Sequence, residues 1–229
     1  MHSFNLNRGN YEKTLCFCDS TKFFFFSCSN EEKVYSCNES INEWVCENLS
    51  DIRTMSRTEW SKSDEKLKIP IYRAFTHQQR LDFWLGKFQE VLSLDWSDAE
   101  KKHISKLIKE LESHPNFVDG YNGLSDQEKN EFDLFFYEWF EISKNEFKWS
   151  DRQLYAIVAS GNTLLDTKGT LSVSKNKEAT LSYVESNCNC STSSDWCSTS
   201  MCEDVSCEET FLGCGTIFAY DCDGRCGGI

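Results

Sequence analysis

The sequence predicts a mainly α protein: an antiparallel helical bundle followed by a small disulfide-rich C-terminal module of turns and short β-strands. Three observations predict it. Helix-start signatures recur six times between residues 40 and 153, and apolar residues repeat at helical spacing around them. Eight of the thirteen cysteines crowd into residues 187–229, behind a stretch from 47 to 187 that has none. The chain divides on these grounds into a signal-like start (1–28), a helical domain (29–160), a linker (161–186) and a cysteine module (187–229).

The start is polar, with Asn5, Asn7, Arg8, Asn10, Glu12 and Asp19, and its two short apolar runs are separated by residues 19–22. A secretory signal needs an unbroken apolar stretch of roughly 7–15 residues. Residues 23–30, Phe-Phe-Phe-Phe-Ser-Cys-Ser-Asn, nevertheless resemble the end of a bacterial lipoprotein signal. That reading makes Cys28 a candidate for lipidation and a membrane tether. A phenylalanine-rich strand or helix start is the alternative.

From residue 40 to 160 the text is helical. In a capping box, a Ser or Thr side chain and a Glu or Gln three residues later satisfy orphan amides at a helix start. The pattern occurs at Ser40/Glu43, Ser56/Glu59, Thr76/Gln79, Ser97/Glu100, Ser125/Glu128 and Ser150/Gln153. Apolar faces agree with it: Leu81, Trp84, Leu85, Phe88, Val91 and Leu92; then Ile104, Leu107, Ile108 and Leu111; then Phe132, Phe135, Phe136, Trp139 and Phe140; then Leu154, Tyr155, Ile157 and Val158. Such spacing is that of core packing rather than of a cofactor box. Lys101 and Lys102 with Glu110 and Glu112 read as a solvated face. Pro70 is expected to break or start a helix with Ile69 extended, and Gly161 to end the last one as a left-handed cap. Pro115 and residues 120–123 mark a loop. Short connections favour antiparallel neighbours.

Residues 162–187 are rich in Ser, Thr, Lys and Asn, with a weak hairpin signal at Lys168-Gly169 and short apolar alternations at Leu171-Ser172-Val173 and Leu181-Ser182-Tyr183-Val184. A polar stretch of this kind offers access to a protease.

The module's cysteines are Cys188, Cys190, Cys197, Cys202, Cys207, Cys214, Cys222 and Cys226. Structural zinc favours Cys-x2-Cys pairs or accompanying His. No Cys-x2-Cys is present, and all four His lie outside the module. Four disulfides are the better account, because so short a segment buries too little surface to fold unaided. The pairing is not legible from spacing. Cys37 and Cys46 form a further candidate pair. Ile217 to Tyr220 reads as a strand, and Asp223-Gly224 as a two-residue hairpin turn. Seven acidic residues against Arg225 give the module a net charge of −6, a poor fit to a cationic lytic peptide. Asp221 and Asp223 fall short of a calcium ligand set.

At the level of function, a net charge of −13 argues against nucleic acid, and the cysteine density argues for an oxidising compartment. The chain has no zinc-protease, nucleophile-elbow or phosphate-loop motif, so neither catalytic residues nor a cofactor is assigned. A thiol-exchange role for Cys188-Asn189-Cys190 is open, but six neighbouring cysteines favour a structural bridge.

Residues 187–197 (Asn-Cys-Asn-Cys-Ser-Thr-Ser-Ser-Asp-Trp-Cys), with Gly213-Cys214-Gly215 and Tyr220-Asp221-Cys222, resemble the bacteriocin fulvocin C-related proteins. Glu43-Trp44-Val45, Tyr72-Arg73-Ala74-Phe75 and Gln79-Arg80 leading into Phe83-Trp84 are softer elements of the same likeness. The chain departs from that pattern at its start, where a clean lipoprotein signal is expected. The resemblance implies antibacterial activity against an envelope component of a target bacterium, in a secreted or surface-tethered protein. Trp196, Phe211, Phe218 and Tyr220 are the candidate target contacts. The competing expectation is a non-toxic envelope binding module that uses the same staples.

Overall fold

A computed structural model describes residues 33–36, 38–172, 188–197, 201–205 and 212–227. The signal-like start with Cys28, and also Cys37, Cys207 and Phe211, lie outside the described residues. Among those described are eight α-helices: α1 (Glu39–Glu47), α2 (Leu49–Ile52), α3 (Arg57–Trp60), α4 (Glu65–Ala74), α5 (His77–Leu92), α6 (Asp98–Ser113), α7 (Asp126–Asn145) and α8 (Asp151–Val158). Four short strands follow: β1 (Cys202–Asp204), β2 (Leu212–Cys214), β3 (Tyr220–Asp221) and β4 (Gly224–Cys226). The fold is mainly helical, with a small C-terminal strand module. None of the described helices is long and apolar enough to cross a membrane.

Five of the six expected capping boxes form, at Ser56, Thr76, Ser97, Ser125 and Ser150, with both reciprocal hydrogen bonds present. The sixth does not. Asn38 caps α1 by accepting from the Ile41 amide, and the Ser40 hydroxyl donates to the same Asn38 oxygen. An Asn two residues upstream therefore wins the start, and Ser40 lies inside the first turn. Pro70 sits within α4 rather than at its edge. A helix-interior proline costs about 3 kcal/mol, which burial of Leu67, Ile71, Tyr72 and Ala74 in the same helix offsets. α6 stops at Ser113 because His114, preceding Pro115, is held away from helical geometry. Pro115 then opens a 3-10 turn, Pro115–Asp119.

α8 ends at Val158 with Ala159 as its C-cap, and Gly161 is not a left-handed cap. Glycine is needed there for room: a Cβ would meet the Phe83 ring at 2.4 Å and the Trp60 indole at 2.7 Å. The first part of the expected linker is built into the fold. Leu164 pairs with Leu171 in an antiparallel bridge around the Lys168-Gly169 turn, and Asp166 accepts from the amides of Lys168 and Thr170. A clamp fixes residues 161–164 to the helices. Arg57 donates to the Gly161 carbonyl and pairs with Glu90, whose carboxylate also takes the Leu164 amide and the Thr163 hydroxyl. Lys68 reaches Asn162 Oδ1 at 2.8 Å, and Lys87 reaches the Asn162 carbonyl at 2.5 Å. Both lysines are buried. Burial pushes the Lys87 ammonium down to about 7.

In the module, β1 pairs antiparallel with β4 and β2 with β3. Asp223-Gly224 consequently joins strands of two different sheets and is not a hairpin turn. Cys190–Cys202, Cys197–Cys226 and Cys214–Cys222 are disulfides, and Cys188 is disulfide-bonded as well. These bridges fit an oxidising environment. Helices and module belong to one unit, Val34–Ile229, and share a core to which Ile217, Phe218 and Ala219 contribute.

Candidate functional site

The seam between helices and module is made by the loop that the Cys214–Cys222 bridge closes. Its tip is a 3-10 turn, Thr216–Phe218, rather than the expected strand. Ile217 and Phe218 have φ of +46° and +55°. For residues with a Cβ this left-handed region is costly, at about 1–3 kcal/mol each, and more unusual still for a β-branched side chain. The geometry persists because it drives both side chains into the helical body. Ile217 is fully buried and Phe218 is 6% exposed.

The helices supply an aromatic socket. The Phe218 ring lies 5.1 Å from both Tyr72 and Trp84, 6.3 Å from Phe83 and 6.4 Å from Trp60, centroid to centroid. Burying one such ring is worth about 1.5–3 kcal/mol, and each well-oriented aromatic pair adds roughly 0.5–1.5. Gly213 brings the loop backbone against α4: at φ +138°, it sits where a Cβ would approach Ile69 Cγ2 to 2.4 Å.

Polar contacts set the register. Arg73 on α4 donates from Nε to the Leu212 carbonyl (2.7 Å) and from Nη1 to the Tyr35 carbonyl (3.1 Å). The Tyr121 amide donates to the Ala219 carbonyl, its ring stacks on Tyr220 at 4.8 Å, and Asn122 donates to Asp221. Burial raises the Tyr220 hydroxyl and the Asp221 carboxyl above their ordinary ranges. Tyr121 is pushed up to about 12 by burial and by donating to Asp133. Trp196 donates to the Thr216 hydroxyl and packs on Phe140 and Tyr155. A cleft of 1590 Å³ follows the seam, lined by Tyr137, Lys144 and Arg152 from the helices and by Asn189, Trp196 and Gly227 from the module.

Of the candidate target contacts, Phe218 is therefore buried in the helical body, while Trp196 and Tyr220 are half-buried against it. As folded, Phe218 has no face to offer a partner. Cys46 is half-buried on α1, so the candidate pair with Cys37 is described at one end only. Asp221 accepts from Asn122 of the helical body, and Asp223 accepts from the amide and hydroxyl of Thr192 within the module. Sequence reasoning missed Arg73, Lys68 and Lys87. Arg73 falls inside a family-like motif, but nothing local says that its carbonyl acceptors lie 38 and 139 residues away.

No family model, no curated protein and no solved structure matches this chain.

Proposed function

We propose that the chain is a bacteriocin-like antibacterial protein held in a latent form, with the cysteine module as effector and the helical body as its sheath. The observation that carries the reading is Phe218 seated among Trp60, Tyr72, Phe83 and Trp84. An apolar tip on an otherwise acidic, stapled module is the part expected to engage an envelope component. Here it is covered. Cleavage within 173–187 would leave the module bound only through the seam, and separation would uncover Ile217 and Phe218. The protein would be secreted or displayed on the cell surface, with a lipid at Cys28 as the tether.

Intact mass spectrometry of protein from the producing cell, before and after reduction, tests this reading. A fragment starting near residue 187 that gains two hydrogens per bridge on reduction, and kills related bacteria, supports it. Only full-length, non-killing protein would overturn it. The shared core favours a second reading, a non-toxic envelope binding module in which helices and staples form one working unit. Full-length protein with a lipid on Cys28 that captures a single envelope protein would support that one.

A further inference from the structure

The sulfurs of Cys190, Cys197 and Cys202 lie within 4.8 Å of one another, and Cys226 is bonded to Cys197. Three sulfurs from two separate bridges thus meet in one cluster, and the fourth, of Cys226, is bonded to one of them. The backbone beneath them is held by bonds that owe nothing to sulfur. Cys202 faces Cys226 directly across the β1–β4 ladder. Cys190 exchanges backbone hydrogen bonds with Gly224, donating at 3.2 Å and accepting at 3.1 Å. The Asp195 carboxylate accepts from the amides of both Cys197 and Cys202 at 2.8 Å, and Asn189 Oδ1 accepts from the Cys226 amide at 2.9 Å. Gly224 leaves room at the centre, since a Cβ there would meet Cys202 Sγ at 2.4 Å.

We propose that the reduced module binds one Zn²⁺ through the thiolates of Cys190, Cys197, Cys202 and Cys226. A tetrahedral thiolate site has Zn–S distances of about 2.3 Å, which sets its sulfurs roughly 3.8 Å apart. Three of the sulfurs already lie within 4.8 Å of one another, and on reduction Cys226, held beside them across the β1–β4 ladder, needs side-chain rotation to turn in as the fourth ligand. In the redox step, two disulfides take four electrons and four protons from two equivalents of a dithiol, which leaves as two disulfides. The four thiols then release their protons to solvent as the metal binds, so affinity falls with falling pH. A chain in a reducing compartment would have its module arranged by the metal, and oxidation would expel the ion and close the same bridges. This inference stands apart from the antibacterial reading.

The test uses the full chain, reduced with a phosphine without oxygen, desalted, and titrated with Co²⁺ and then Zn²⁺. One equivalent of Co²⁺ should give the thiolate charge-transfer absorption of a tetrahedral site, and Zn²⁺ should displace it. Cys190→Ser and Cys226→Ser should lose the band, while the Cys214→Ser/Cys222→Ser double variant should keep it. Alkylation mapped by mass spectrometry provides a readout that does not depend on variants folding. Zinc should slow labelling of Cys190, Cys197, Cys202 and Cys226 and leave labelling of Cys214 and Cys222 unchanged. Failure to retain metal, or protection of a different set of cysteines, overturns the proposal.

Discussion

His103 on α6 is a buried imidazole used as a structural donor. Its Nε2 lies 3.1 Å from the Trp139 carbonyl and 2.9 Å from the Ser143 hydroxyl, and its ring stacks on Trp139 at 4.9 Å. Nδ1 has no hydrogen-bond partner, in keeping with a neutral ring that carries its proton on Nε2. Burial, with Lys106 adding to it, lowers its pKa to about 4. The native state thus resists a proton that the unfolded chain, with an ordinary value of about 6.5, accepts. Between these values the unfolded state binds more protons. The stability involved is therefore present above about pH 6.5 and is lost as pH falls towards 4. The loss should be on the order of 2–3 kcal/mol. Urea unfolding of wild type and His103→Gln across this window checks it, because carboxylate titrations common to both cancel in the difference. The advantage of wild type over the variant should shrink as the solution is acidified. A difference independent of pH would remove His103 from the account.

At the scale of the element, the capping boxes are local chemistry. Ser125 accepts from the Glu128 amide while the Glu128 carboxylate takes the Ser125 amide and hydroxyl, which holds that carboxyl down to about 2. Ser125→Ala should cost about 1 kcal/mol. Ser40→Ala, where Asn38 is the cap, should cost only a few tenths on the same scale. Chemical denaturation of both variants reads the contrast, and equal losses would contradict the assigned start of α1. This locality explains what was legible in the sequence. The later five helix starts and the apolar faces of α6 and α7 depend on residues three or four apart, and they follow from the text. Elements decided by distant partners do not. Pro70 is tolerated because its helix is buried on several sides. The stripe expected on α5 is displaced: Phe83 and Lys87 are buried, whereas Leu81, Leu85 and Leu92 lie at its edge. A lysine on an apolar face reads as solvent-facing until Asn162 is known to meet it. Ile217 to Tyr220 reads as a strand because β-branched and aromatic residues favour one. The socket overrides that preference and turns two of them left-handed. Of the candidate site, the sequence marked the cysteines but could not show that the aromatic residues beside them turn inward.

For the whole molecule, one core means one transition. Phe218→Ala removes a ring shared by helices and module and should cost about 3–5 kcal/mol. The loss should appear at the same denaturant concentration whether tryptophan fluorescence or helical circular dichroism is followed. Two separate transitions in the wild type would mean that module and helices unfold independently. The pairing of Arg73 with the Leu212 carbonyl has a further effect, through its span of 139 residues. Contacts of such high sequence separation form late and slow the search for the native state. A chain made from its N-terminus presents Trp60, Tyr72, Phe83 and Trp84 long before Phe218 has been synthesised. During translation the helices can gather around only an incomplete centre. That interval leaves the nascent helices without their central ring, and its closing event is the docking of a loop that the ribosome delivers well after the helices.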